Sequence, residues 1–265
     1  MADLHAGFVA TEGGISADLE EFLDQADRMP AVQAVRRDMA AALDPRPGER
    51  VLDFGCGIGT EVTRLARAYP QTEFVGVDHS ADLLAVAARR ATDTPNLTWL
   101  RGELPGAPGT FNAIRAERVL MYLPDPAYGQ ALDLLANLLR PGGRVVLFEL
   151  DYGSLILPPG SHPDDLAASL SEILRRSLPQ PWAGRKIPRH LAERGLTPMT
   201  AHPYVLELGE PVWRRIIRDP LTAHRATAPA ALDAWLTEQT DPVNPFRGAV
   251  TGILTTAVHR PFQQW

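Results

Sequence analysis

The chain has 265 residues, 45% of them hydrophobic, which suits one large α/β domain with a sizeable buried core. Its formal net charge of −6, with no run of five like charges, excludes the electrostatic footprint expected of a nucleic-acid binder. Cys56 is the only cysteine, so no intrachain disulfide can form; with no zinc-type Cys/His spacing either, no metal is expected and a reducing, cytoplasmic setting is.

From the N-terminus, Asp3, Glu12, Asp18, Glu20, Glu21 and Asp24 interrupt any apolar stretch, so an ordinary signal peptide is not expected. Nowhere do apolar residues approach the roughly 20 that a membrane span needs. Ser16 can cap a helix with Leu19, Phe22, Leu23, Ala26 and Met29 at helical spacing, and Pro30 opens a second helix carrying Val32, Val35, Met39 and Leu43. Residues 1–48 thus read as an N-terminal helical cap, ended by Pro45-Arg46-Pro47-Gly48. From Arg50 short apolar strands alternate with amphipathic helices, the pattern of βαβ units on a parallel sheet. The expected strands are 50–54, 73–78, 97–101, 111–117 and 143–149, with Leu139-Arg140-Pro141-Gly142-Gly143 as a turn before the last of these. Beyond Asp151 the rhythm changes. Helices are expected around 166–178, 185–194, 212–221 and 230–240, a strand near 199–208, and a closing β-rich run at 248–258 that would add an antiparallel hairpin at the sheet edge. The main domain would span 49–265, with cap insertions at about 153–195 and 211–240.

Asp53-Phe54-Gly55-Cys56-Gly57-Ile58-Gly59 lies directly after a strand and directly before a helix, Thr60 to Ala68. Glycines there let the chain turn sharply and let a ligand approach the backbone at the carboxyl ends of the strands. The next strand ends in Asp78, nineteen residues beyond Gly59, where a carboxylate can accept from both ribose hydroxyls of an adenosine. A dinucleotide site more often shows G-x-G-x-x-G with pyrophosphate on the helix N-terminus. Asp53, ahead of the first glycine, would repel a pyrophosphate and suit a ligand carrying an ammonium or sulfonium group.

The motif and two further blocks, Phe111-Asn112-Ala113-Ile114-Arg115-Ala116-Glu117-Arg118-Val119-Leu120-Met121-Tyr122-Leu123-Pro124-Asp125-Pro126 and Leu139 to Leu147, resemble the class I methyltransferases of the ubiquinone/menaquinone type (type 11/25), many of which act in bacterial secondary metabolism. The resemblance runs from about Pro30 to Pro261. It implies a Rossmann-like α/β fold with a seven-stranded, mostly parallel sheet, an antiparallel terminal hairpin and a helical cap, and S-adenosyl-L-methionine as cofactor. By the same resemblance, Gly55 and Gly57 lie against the methionine moiety, Asp78 on the ribose and His79 beside the adenine. Gly102 follows, Glu103 accepts the adenine amino group, Leu104 packs near the ring, and backbone around Glu117 and Arg118 flanks the methionine end. Arg36 is placed to pair with the cofactor carboxylate. Asn112 stands where the family usually has Asp, a position read as structural, and Glu149-Leu150-Asp151-Tyr152 is similar to the family's acidic-aromatic strand exit.

Methyl transfer from a sulfonium is a direct displacement that needs a base only if the nucleophile keeps its proton. Cys56 has no His-Asp partner set and reads as space-filling beside the cofactor. His224 and Tyr122 are the catalytic candidates, each weighed against an ordinary packing role, as Glu149 is weighed as a strand terminus rather than a base. Trp182, Trp213, Trp235, Tyr152 and Phe8 fall in the cap; most are expected to pack its own core, and together they point to a small, largely apolar or aromatic acceptor. The expected activity is C-, O- or N-methylation of a natural-product-type acceptor by a monomer or homodimer, with a cofactor-binding cyclase or regulatory protein as the alternative.

Overall fold

The structure, a computed structural model, describes residues 17–102, 110–209, 212–243 and 245–260. Two helices come first: α1 (Ala17–Asp27), and α2 (Pro30–Leu43), which starts on a proline and buries Val32, Val35, Met39 and Leu43 at helical spacing. The α/β part follows as β1 (Arg50–Phe54), α3 (Thr60–Ala68), β2 (Glu73–Asp78), α4 (Ala81–Arg90), β3 (Leu97–Arg101), β4 (Phe111–Glu117), a 3-10 turn (Leu120–Tyr122), α5 (Ala127–Leu138) and β5 (Leu139–Ile156). Next come α6 (Asp164–Arg176), α7 (Ala183–Ala192) and β6 (Thr197–Leu208), then a π-helical segment (Trp213–Arg218), α8 (Asp219–Ala223), α9 (Leu232–Glu238) and β7 (Gly248–Val258). No helix among the described residues is long and apolar enough to cross a membrane.

The strands form one seven-stranded sheet in the order β3-β2-β1-β4-β5-β7-β6. Strands β1 to β5 pair in parallel, whereas β7 runs antiparallel to both β5 and β6. The order in which the strands are connected reverses between the parallel neighbours β1 and β4, so a crevice opens at their carboxyl ends, where ligands of such sheets bind. The expected antiparallel closure is present, but β6 and β7 are joined through residues 209–247, which carry the cap segments, rather than by a tight turn.

Strand β5 is longer than its expected bounds at both ends. Pro141-Gly142-Gly143 does not end a loop: it bulges within the strand, where the register against β4 jumps from Phe111↔Leu139 to Ala113↔Arg144. Gly142 takes a φ of 80° there, and a Cβ on Gly143 would meet Arg140 O at 2.8 Å and Asn112 O at 2.9 Å. Asn112 itself accepts from Arg50 N at 3.0 Å and so ties β4 to the start of β1, a structural role.

Two apolar clusters sandwich the sheet. On one face Leu132 and Leu135 of α5 pack with Ile187 and Leu191 of α7. On the other, α2 and α3 share one cluster with the cap, whose centre is Trp213 stacked on Phe246 at 4.2 Å with Trp235 edge-on to both. Trp235 also donates Nε1–H to Pro158 O at 2.8 Å, which fastens α9 to the chain after β5.

Candidate active site

At the end of β1 the chain turns through three glycines, each with positive φ: Gly55 (72°), Gly57 (57°) and Gly59 (72°). They are required for different reasons. A Cβ on Gly55 would run into Val119 Cγ2 at 2.3 Å, and one on Gly59 into Trp99 at 2.4 Å, so both serve close packing. Nothing lies within 4 Å of where a Gly57 Cβ would stand, and Gly57 lines the cavity, so its missing side chain leaves backbone open to a ligand.

Asp78, at the end of β2, is buried with its carboxylate fixed: Oδ2 accepts from Gly57 N and Oδ1 from Ser80 N, both at 2.9 Å. One acidic side chain thus joins the glycine turn to the cap of α4, where Ser80 Oγ accepts from Leu83 N at 3.2 Å. His79 lies alongside, with Nδ1 3.3 Å from Asp78 Oδ1, and Gly102 is held by its N–H to Asp78 O at 2.8 Å. Ile58, Leu83, His79 and Gly102 line this end of the cavity. Glu103 and Leu104 lie outside the described residues, as does Phe8.

A buried charge network occupies the ends of β1 and β4. Arg115 Nη1 donates to Asp53 at 2.8 Å and its Nη2 to Glu117 Oε2 at 2.9 Å. Arg36 Nε, from α2, donates to the same Glu117 oxygen at 2.8 Å, and its Nη1 pairs with Asp27 of α1. Arg118 Nη2 donates to Glu117 Oε1 at 3.1 Å. Burial works against the Glu117 charge, but Arg36, Arg118 and Arg115 together hold its carboxyl well below the usual range. Asp53 goes the other way: burial pushes it up to about 6 although Arg115 pulls it down. Asp53 is therefore no free anion awaiting a cation, and Arg36 is no free cation awaiting a carboxylate. Each is already matched within the protein, a correction to the simple charge reading of both.

Beyond this network the cavity, about 400 Å³, widens between α1, the ends of β4 and β5, and the cap. Leu150, Leu206, Leu208, Val212, Ile216 and Val250 line that half, together with Tyr122 and Tyr152. Burial pushes the Tyr122 phenol up to about 12 and Tyr152 higher still. Arg215 lies over the Phe22 ring at 5.5 Å and joins the π-helical segment to α1 across the chamber.

His224 is not among the lining residues. It follows α8, half-buried, with Nδ1 3.2 Å from Pro220 O, because the cap turns Val212 and Ile216 rather than His224 to the chamber. Trp182, Trp213 and Trp235 are not in the lining either. Trp213 and Trp235 form the cap's core, and Trp182 lies under Arg175 at 4.7 Å and Lys186 at 5.4 Å. The aromatic walls are instead Phe22, Phe54, Tyr122 and Tyr152. Cys56 lies in the turn with its thiol pushed well above the ordinary range by burial and by Asp53, which suits space-filling and not nucleophilic chemistry. Glu149 is fully buried and outside the lining; Oε1 accepts from Val119 N at 2.8 Å and Leu120 N at 2.7 Å, and Oε2 from Met121 N at 3.2 Å. It is a clamp on the turn that carries Val119 and Tyr122.

Arg115 was missed by reading the sequence. Its signal is a charged residue inside a strand whose neighbours Ala113, Ile114 and Ala116 are all buried, a position that demands a partner.

Residues 51–143 match the family model described as a methyltransferase domain. Trans-aconitate 2-methyltransferase of Deinococcus radiodurans is 37% identical over 113 residues, covering 43% of this chain and 42% of that protein. Ubiquinone biosynthesis O-methyltransferase of Xanthomonas campestris pv. campestris is 29% identical over 187 residues, covering 58% of this chain and 77% of that protein. In fold, the chain is similar to the N-methyltransferase NodS of Bradyrhizobium japonicum in complex with S-adenosyl-L-homocysteine, with a TM-score of 0.58, 15% identity, and coverage of 98% of this chain and 100% of that one. Residues 51–143 thus carry a methyltransferase domain, and the chain is similar to class I S-adenosylmethionine-dependent methyltransferases of the type 11/25 family. The chain spans 42% to 63% of the length of several curated relatives that it matches. Its residues fit the family's cofactor, S-adenosylmethionine: Gly57 offers bare backbone, Asp78 a fixed carboxylate, and Ile58 and Leu83 an apolar surface for a flat ring, all on one cavity.

Proposed function

We propose that the methyltransferase transfers a methyl group from S-adenosylmethionine to a small, largely apolar or aromatic acceptor of the natural-product type. The observation that carries this reading is the continuity of one cavity from Gly57 and Asp78 to a chamber walled by aliphatic side chains and two tyrosines. When bound, the cofactor supplies an electrophilic methyl on a sulfonium. Asp78 would accept from the ribose hydroxyls, Gly55 and Gly57 would lie against the methionine moiety, and His79 and Gly102 would flank the adenine. Glu103 and Leu104 are assigned to the adenine on the family pattern alone. Arg36, Asp53, Glu117 and Arg115 act as a charge-balanced platform that sets the ends of β1 and β4, while backbone at Glu117 and Arg118 borders the methionine end.

The chain's contribution to rate is alignment of the acceptor in a water-poor chamber. Helices α1 and α2 (within the 1–48 cap) and the insertion at about 211–240 supply acceptor walls, whereas no residue of the expected insertion at about 153–195 lines the cavity. Tyr122 is retained as an acceptor-contacting residue; His224 is not. The sole cysteine, which can form no intrachain disulfide, supports a reducing compartment. Calorimetry tests the donor half: S-adenosylmethionine binds in the micromolar range, and Asp78→Ala weakens or abolishes binding, whereas unchanged binding in that variant refutes the site. Feeding candidate acceptors tests the rest. Accumulation of S-adenosylhomocysteine supports transfer, and cofactor binding without it would favour a cyclase or regulatory role.

A further inference from the structure

At the acceptor end of the cavity, Arg118 is a non-glycine residue with a φ of 56°, the left-handed region that side chains rarely adopt and that clusters at functional sites. Its backbone is pinned there by an N–H donated to Phe148 O at 2.8 Å. Of the three arginines on Glu117, Arg36 and Arg115 are 11% and 3% exposed and each serves two carboxylates, whereas Arg118 is 29% exposed and serves one. Arg118 therefore keeps donor capacity facing the cavity that it lines. Tyr152, only 5% exposed, lines the same cavity, and its hydroxyl has no hydrogen-bond partner among the described residues. Tyr122 stands on the turn four residues after Arg118.

We propose that Arg118, Tyr122 and Tyr152 form an oxygen-anion subsite, and that the acceptor is a phenol or enol with an apolar body, methylated on oxygen as its anion. This rests on the reading of the cavity as a methyl-donor site. Arg118, Tyr122 and Tyr152 line the same cavity, and the charge of Arg118 opposes the rise that burial imposes on both phenols. A guanidinium with two O–H donors stabilises an oxygen anion and disfavours an amine acceptor, whose methylation would leave a cation beside Arg118. Among the described lining residues the one histidine is His79 at the other end; Asp27, Asp53, Glu61 and Glu117 are each paired with an arginine, Asp78 is bound to backbone in the donor half, and Glu207 is exposed at the rim. Stabilising the anion thus takes the place of a general base. The acceptor loses its proton to solvent on binding; its oxygen then takes the methyl, the O–C bond forming as the donor's C–S bond breaks with its electron pair left on sulfur. Anion and sulfonium give two neutral products, so charge is cancelled in the transition state.

The test uses the full chain with saturating S-adenosylhomocysteine and 4-nitrophenol as probe, whose phenolate is read by absorbance. The wild type should lower the apparent pKa of the bound probe by about one unit or more. Arg118→Met should abolish that shift at a concentration of S-adenosylhomocysteine that saturates each variant, Arg118→Lys should keep part of it, and Tyr152→Phe should weaken phenolate binding by about tenfold. Thermal melts confirm that each variant is folded. Failure of the wild type to bind the probe, or binding with no preference for phenolate, overturns the proposal. So does an Arg118→Met variant that keeps the probe shift. If S-adenosylhomocysteine itself does not bind the wild type, the donor reading falls with it; if it binds without a phenolate preference, the acceptor subsite alone falls.

Discussion

Replacing Glu149 with Gln separates what a buried charge costs from what its hydrogen bonds contribute. The carboxyl is fully buried, and burial raises it from 4.5 to about 7 in spite of three backbone N–H donors. Native Glu149 therefore holds its proton more tightly than the unfolded chain does. Its contribution to stability is full below about pH 4.5 and is lost as the pH rises to about 7. At about 1.4 kcal/mol per unit, the loss across that window is ~3 kcal/mol. Gln keeps the volume and an oxygen to accept from Val119 and Leu120, but its amide nitrogen would meet the N–H of Met121, a lost bond that costs about 1–3 kcal/mol at any pH. Urea denaturation of both proteins from pH 5 to pH 8 should show Glu149→Gln the less stable at pH 5, with the gap closing or reversing by pH 8. A pH-independent gap, or one that widens as the pH rises, would refute the reasoning.

Gly55→Ala should lose several kcal/mol of stability by collision with Val119, whereas Gly57→Ala should lose only about 1–2 kcal/mol, the cost of its positive φ, and chiefly weaken cofactor affinity; melting and calorimetry on the pair separate the two effects. Trp235→Ala empties the centre of the cap and orphans Pro158 O, and should cost about 3–5 kcal/mol in chemical denaturation. The Cys56 thiol, raised by burial and by Asp53, should react with an aromatic disulfide reagent more slowly in the native protein than in the denatured one at pH 8; equal rates would show that the turn does not suppress its thiolate.

The parallel half of the fold was legible because each element carries a local signal. Strands 50–54, 73–78, 97–101 and 111–117 are short apolar runs bounded by glycine, proline or a helix cap, and they stand at those bounds in the structure. Strand β5 was underestimated because Pro-Gly-Gly signals a turn locally, while the pairing of Gly142 N with His259 O and of His259 N with Gly143 O, at 2.5 and 2.9 Å, makes it a bulge. That partner is remote in sequence. The same limit applies to the site. Gly57 and Asp78 announce themselves by position, but Arg115 with Asp53 is a contact across 62 residues that no spacing rule supplies. His224 failed for a finer reason: the insertion that holds it does cover the cavity, yet the face a short helix turns inward depends on its packing against Trp213 and Phe246.

That packing also shows how the two halves of the cavity can vary independently. The donor half is built from strand ends and a carboxylate bound to backbone, so changes there disturb the sheet. The cap instead presents Val212 and Ile216 to the chamber, beside Leu206 and Leu208 at the end of β6, and Leu206, Leu208 and Val212 share the apolar cluster of Trp213, Trp235 and Phe246. Substitution of Ile216, which is only partly buried against that cluster, alters the shape of the acceptor space with the least disturbance of it. Arg118 lies at the junction: its backbone belongs to the rigid end of β4, and its guanidinium belongs to the chamber. Acceptor chemistry is then held to the sheet while acceptor shape is left to the cap.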